Sequence, residues 1–116
     1  MKKITILLVI CCAAVWLAAC GKRAITEEQA YKAVQNYCFK KNPDLERMVG
    51  SDIYFYWTVD TTEDNVIVVT FRSYTASREY YYINPKSGKT YVTEVIPGEI
   101  DEKPTGERFN IRDYMD

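Results

Sequence analysis

The chain contains no histidine in its 116 residues. Imidazole is the side chain whose unperturbed charge change falls near neutral pH. Its absence excludes histidine-based triads and dyads, and metal centres that need that ligand. Neither sign of charge is in excess, since 15 Lys and Arg stand against 16 Asp and Glu. A nucleic-acid binder usually carries a basic surplus, so none is expected as a partner. Glycine is scarce, with 5 in the chain, and no glycine-rich phosphate loop occurs. The uncharged stretch from Ile4 to Ala19, before Cys20, has 16 residues, short of the ~20 that a membrane-spanning helix requires. What remains is a balance of 47% hydrophobic and 27% charged residues, which suits one packed core rather than disorder. The length allows one domain at most.

Lys2 and Lys3 precede the uncharged run, the pattern of a secretory signal. The run closes on Leu17-Ala18-Ala19-Cys20-Gly21. This resembles the lipobox of bacterial lipoproteins: an aliphatic residue, two small ones, then the cysteine that becomes the new N-terminus. The resemblance implies that residues 1–19 are a signal-peptide helix removed on export, and that the Cys20 thiol takes up diacylglycerol. It implies a lipid-anchored protein of the bacterial cell envelope, which meets its membrane through acyl chains on Cys20. Gly21, with no aspartate after the cysteine, resembles the outer-membrane default of enteric-type sorting. Two or three chains, at ~0.8 kcal/mol per buried methylene, hold a protein where one gives only marginal binding. The other readings are an ordinary signal peptide or a membrane helix that happens to contain Cys20. Cleavage would leave 13 basic residues against 16 acidic ones, because Lys2 and Lys3 depart. Cys11 and Cys12 depart as well, Cys20 is blocked, and Cys38 is alone, so no internal disulfide is expected. Residues 20–25, the lipidated cysteine and a tether that stretches about 17 Å, keep the domain close to the bilayer.

The domain itself is expected over residues 26–96. Thr26 with Gln29 makes a capping box, and Ile25 with Ala30 a hydrophobic staple. Ala30, Ala33, Val34, Tyr37 and Cys38 fall on one helical stripe. Pro43 ends the helix, and a loop is expected from Pro43 to Asp52. Period-two alternation follows, with Ile53, Phe55, Trp57 and Val59 set against Tyr54, Tyr56 and Thr58. Strands at Val66–Arg72, Arg78–Asn84 and Thr90–Ile96 come next, separated by turns at 61–65, 74–77 and 85–89. The predicted class is α+β: one helix packed on a four-stranded antiparallel meander. Residues 97–116, with two prolines, two glycines and an acidic run, are expected to be an irregular or a docked tail.

Several of these segments carry a resemblance. Ile25-Thr26-Glu27-Glu28-Gln29-Ala30, Tyr81-Tyr82-Ile83-Asn84 and the Ser87-Gly88-Lys89 turn are similar to the opening helix, the strand end and the hairpin of PepSY-type domains. A cystatin-like arrangement is the nearest alternative. The PepSY resemblance implies a non-catalytic envelope module that binds or restrains a peptidase. Ser87-Gly88-Lys89-Thr90-Tyr91 also resembles the Ser-Gly-x-x-Tyr motif of membrane-bound lysozyme inhibitors, which lack a leading helix.

The candidate chemistry is thin. Cys38 lies on the apolar stripe without a base, so it is expected to be a buried hydrophobe rather than a nucleophile. Asp60, Glu63, Asp64 and Asn65 lack the spacing of a calcium loop, so neither metal nor cofactor is expected. Glu79 and Glu94 could pair as carboxylates. The ten tyrosines are more informative. If the helix covers Phe55, Trp57, Val69, Phe71, Tyr81 and Ile83, then Tyr54, Tyr56, Tyr80 and Tyr82 line the other face. Tyrosine combines large contact area with a hydroxyl, which suits a recognition surface. Those four are the expected partner-binding residues; cross-strand pairing or cover by the tail is the structural alternative.

Overall fold

The computed structural model describes residues 23–115; the expected signal peptide and Cys20 lie outside them. Helix α1 (Glu27–Lys41) opens on Thr26, whose hydroxyl accepts from Gln29 N–H at 3.1 Å. The Gln29 side chain accepts from Thr26 N–H at 3.0 Å. This reciprocal box satisfies two amides that the first turn would otherwise leave open. Glu27 and Glu28 in the first turn and Lys40 and Lys41 in the last complement the helix dipole. Ala30, Ala33, Val34 and Cys38 are buried, and the small side chains among them bring the helix axis close to the sheet. Asn42 departs from helical geometry, with φ −137° and ψ 88°, because the Pro43 ring crowds the residue before it.

The expected loop after Pro43 is in part helical. Pro43 sits in the first turn of a short helix, α2 (Pro43–Arg47), where a missing N–H costs nothing. Leu45 of α2 is buried.

The sheet has five strands, not the expected four: β1 Tyr56–Thr61, β2 Ile67–Arg72, β3 Arg78–Ile83, β4 Lys89–Val95 and β5 Lys103–Asn110. They follow one another in sequence order, each antiparallel to the last. β1 begins at Tyr56, so the alternation that starts at Ile53 runs ahead of the pairing. The extra strand comes from the tail. Pro104 and Gly106 weaken its strand signal in the sequence, yet the free edge of β4 supplies the backbone partners.

One face of the sheet holds the core. Trp57, Val69, Phe71, Tyr81 and Ile83 are buried there, and Phe55 packs against them. Helix α1 covers this face together with a 3-10 turn, Ile111–Tyr114, that follows β5. Ile111 is fully buried. Tyr37 of α1 stacks on Phe109 at 4.0 Å and meets the edge of Tyr114 at 4.9 Å. Each fully buried aliphatic side chain contributes about 1.5–3 kcal/mol, so the tail is an integral part of the core.

The N-terminal end is also tied down. Ile25 is buried and donates its N–H to Pro85 O at 2.8 Å, while Arg112 donates to Arg23 O at 2.9 Å. Residues 23–25 therefore lie against the β3–β4 turn.

Candidate functional site

The pleat sends Tyr56, Tyr80 and Tyr82 to the face away from α1, because their strand neighbours Trp57, Tyr81 and Ile83 point into the core. Tyr54, just before β1, places its ring 5.5 Å from that of Tyr56. Arg72 stands opposite Tyr56 in the register, with its guanidinium 5.7 Å from the Tyr54 ring and 6.0 Å from the Tyr56 ring. A cation over aromatic faces at this range contributes about 0.5–1 kcal/mol when exposed. Tyr54 is 69% exposed and Tyr56 38%, so the cluster is open.

The other two tyrosines are engaged. Tyr80 is half-buried between Thr70 and Thr93, its cross-strand neighbours. Tyr82 stacks on Tyr91 at 4.8 Å, and its hydroxyl donates to Glu102 at 2.5 Å. The Thr93 hydroxyl donates to the same carboxylate at 2.7 Å. Partial burial, then the bond to Glu102, pushes the Tyr82 phenol up to about 12. The loop between β4 and β5 thus reaches across this corner of the face. The tyrosines of this side thus fall into different settings: an open pair, Tyr54 and Tyr56, beside Arg72, a half-buried Tyr80, and Tyr82 tied to Glu102.

The tail also creates a polar cluster that sequence reasoning misses. Between its pairings at Thr93–Pro104 and Tyr91–Arg108, β5 carries three residues opposite Val92 alone. Gly106, at φ 86°, sits at the centre of this bulge, a conformation that favours glycine. The bulge aims Glu107 at the end of α1. Lys41 Nζ lies 2.6 Å from Glu107 and 3.6 Å from Glu79, and the Tyr37 hydroxyl donates to Glu107 at 2.9 Å. The Tyr81 hydroxyl donates to Glu79 at 3.1 Å and lies 3.5 Å from Cys38 Sγ. Burial alone would raise the Glu107 carboxyl, but the bonds from Lys41, Tyr37 and Thr105 outweigh it and hold it below the usual carboxylate range. Burial alone would lower Lys41, and its two acidic neighbours reverse that. Burial pushes the Cys38 thiol up to about 11, and the bond from Tyr81 offsets this only in part. At neutral pH Cys38 is therefore a protonated core residue, in line with the sequence reading. A cavity of about 370 Å³ opens beside it, lined in part by Lys41, Leu45, Phe71, Tyr74 and Glu79. No signal in the sequence joins Lys41 to Glu107, because the bulge that aligns them depends on the strand partner.

The remaining candidates have local roles. Glu79 and Glu94 do face each other across β3 and β4. Asp60 accepts from Thr61 N–H at 2.8 Å. The Ser87–Tyr91 segment is held from within: Asn110 Nδ2 donates to Ser87 O at 3.0 Å and Ile111 N–H to Gly88 O at 2.9 Å. A Cβ on Gly88 would lie 2.3 Å from Asn110 Oδ1, so close approach of the tail requires glycine there. Among the described residues no helix is long and apolar enough to cross a membrane. No family model, curated protein or solved structure matches the chain.

Proposed function

We propose that the protein is a lipid-anchored, non-catalytic protein-binding module of the bacterial cell envelope, whose partner seats on the Tyr54–Tyr56–Arg72 cluster. The open aromatic cluster carries this reading: two tyrosines and an arginine, the residue types enriched at binding hot spots, stand together without cover. Their place in the fold supports it. Tyr56 and Arg72 lie at the β2–β3 end of the sheet, whereas Arg23 and Ile25 are held at the β3–β4 end. With acyl chains on Cys20, a few residues before Arg23, the cluster points away from the bilayer toward other envelope proteins. A helix leading into an antiparallel meander also agrees with a PepSY-like module, and on that reading the partner is a peptidase that the module inhibits or regulates.

The test has two arms. Mass spectrometry of the membrane form should find an acylated N-terminus at Cys20; a mature chain that starts elsewhere without acyl groups refutes the anchor. A photoreactive residue at Arg78, exposed and opposite Arg72, should capture one envelope protein in cells. Adding Tyr54→Ala and Tyr56→Ala should abolish that capture while the thermal midpoint stays in place. Unchanged capture by a folded double variant refutes the cluster as the partner surface.

A further inference from the structure

The two edges of the sheet are unlike. β5 carries Lys103, Pro104, the Gly106 bulge and Arg108, devices that stop a strand from being extended. β1 has no proline, glycine, lysine or bulge, and Asp60 is its one charge. Its backbone parity is fixed by the turn that follows it. Thr62 N–H donates to Val66 O at 2.8 Å, so Tyr56, Thr58 and Asp60 direct their amides and carbonyls at β2. Trp57, Val59 and Thr61 direct theirs away from the sheet. Thr61 N–H is already taken by the Asp60 carboxylate. That leaves Trp57 and Val59, each with an outward N–H and C=O, and an extended strand meets that alternation of donors and acceptors.

We propose that this edge pairs with β1 of a second copy, antiparallel and about a two-fold axis at Thr58. The axis must stand perpendicular to the sheet, so opposed residues share a face. The free pair at Trp57 and Val59 then selects the register. Trp57 lies opposite Val59 of the other copy on the helix side, Thr58 opposite Thr58, and Tyr56 opposite Asp60. Each is a favourable cross-strand combination: aromatic with β-branched, hydroxyl with hydroxyl, phenol with carboxylate. A register one pair further along centres on Val59 and relies on the Thr61 amide that Asp60 occupies. One pair the other way relies on Phe55, which precedes the strand. Pairing uses up the bare edge of both copies and leaves the two guarded β5 edges outside, so assembly stops at two chains rather than growing into a fibre. The two Tyr54–Tyr56–Arg72 clusters come to flank one axis. This assembly does not depend on the lipid anchor.

Directly opposed residues at a non-hydrogen-bonded antiparallel position have Cα atoms about 4.5 Å apart, within disulfide range. Purified protein carrying Thr58→Cys, Tyr56→Cys or Asp60→Cys is oxidised mildly, with wild type in parallel to account for the native cysteines. Thr58→Cys should crosslink to itself several-fold faster than either other variant alone, and a mixture of Tyr56→Cys with Asp60→Cys should crosslink heterotypically. Equal rates at all three positions, or none above wild type, overturn the proposal. Val59→Pro removes an outward N–H that β2 does not use, so it should abolish the Thr58→Cys crosslink with little change in thermal midpoint. Thr58→Lys, at an exposed site, places two ammonium groups on the axis and should sediment as one chain where wild type sediments as two. A dimer that persists in folded Thr58→Lys overturns the proposal independently of the proline variant.

Discussion

The two faces of the sheet use the same residue type to opposite ends. Tyr81 points to the helix side and is fully buried, its hydroxyl shared between Glu79 and Cys38. Tyr80 and Tyr82, its immediate neighbours, point the other way and keep contact with water. On the helix side packing density sets the energetics, because a void there has no compensation. On the outer side the rings keep part of their surface in solvent, and of Tyr54, Tyr56, Tyr80 and Tyr82 it is Tyr82 whose hydroxyl has a protein partner. Aromatic content is therefore a poor guide to stability in this chain; the face a ring points to decides.

The comparison can be broken most severely at the tail. Ile111→Ala opens a cavity under α1 and should lower stability by about 2–5 kcal/mol, measured by urea unfolding. A loss under ~1 kcal/mol would mean that the 3-10 turn is not part of the core. Next comes the polar cluster at the rim of the helix side. Glu107→Gln should cost about 1 kcal/mol near neutral pH, since the pair is partly exposed. Because the folded Glu107 carboxyl is held below its ordinary value, its contribution is present above that ordinary value. It fades as pH falls through the lower, folded one. Wild type and Glu107→Gln should thus converge in acid, and a constant gap would contradict the assignment. Lys41 works in the opposite sense: its folded pKa is raised, so its contribution persists through neutral pH and disappears only in strong alkali. Of similar size, Tyr82→Phe on the outer face removes the bond to Glu102 and should cost about 0.5–1.5 kcal/mol. It should also remove the phenol that is pushed up to about 12, a loss that ultraviolet titration would read. Smallest of all, Tyr54→Ala should shift stability by no more than ~0.5 kcal/mol; a larger loss would make the exposed pair a packing element and merge the two faces into one rule.

What was legible in the sequence was local. Thr26 and Gln29 lie three residues apart and reveal the cap; the alternation from Phe55 to Val59 reveals which side chains share a face. The helix stop at Asn42 follows from its proline, but the same proline opens α2, because proline suits a first helical turn as well as a loop. β5 was not legible, since Pro104 and Gly106 argue against a strand until the edge of β4 is there to pair with it. The candidate site divides along the same line. Alternation within the strands reveals that Tyr56, Tyr80 and Tyr82 share a face, yet Glu102, which ties Tyr82, lies 20 residues further along the chain, and Glu107 lies 66 residues from Lys41. Cys38 needed only its place on the helical stripe.

The contact between α1 and the last turn joins the two ends of the domain. Asn36 Nδ2 donates to Tyr114 O at 2.9 Å across 78 positions, while each strand pairs with its neighbour in sequence. The hairpins can form as the chain emerges from the ribosome, since their closure is local. The helix, though made first, has no cover over Tyr37 until Phe109 and Tyr114 arrive. The order of synthesis thus opposes the order of burial: Tyr37 is made long before Phe109 and Tyr114, the residues that cover it. A nascent chain stays open to chaperones until Phe109, Ile111 and Tyr114 have been made.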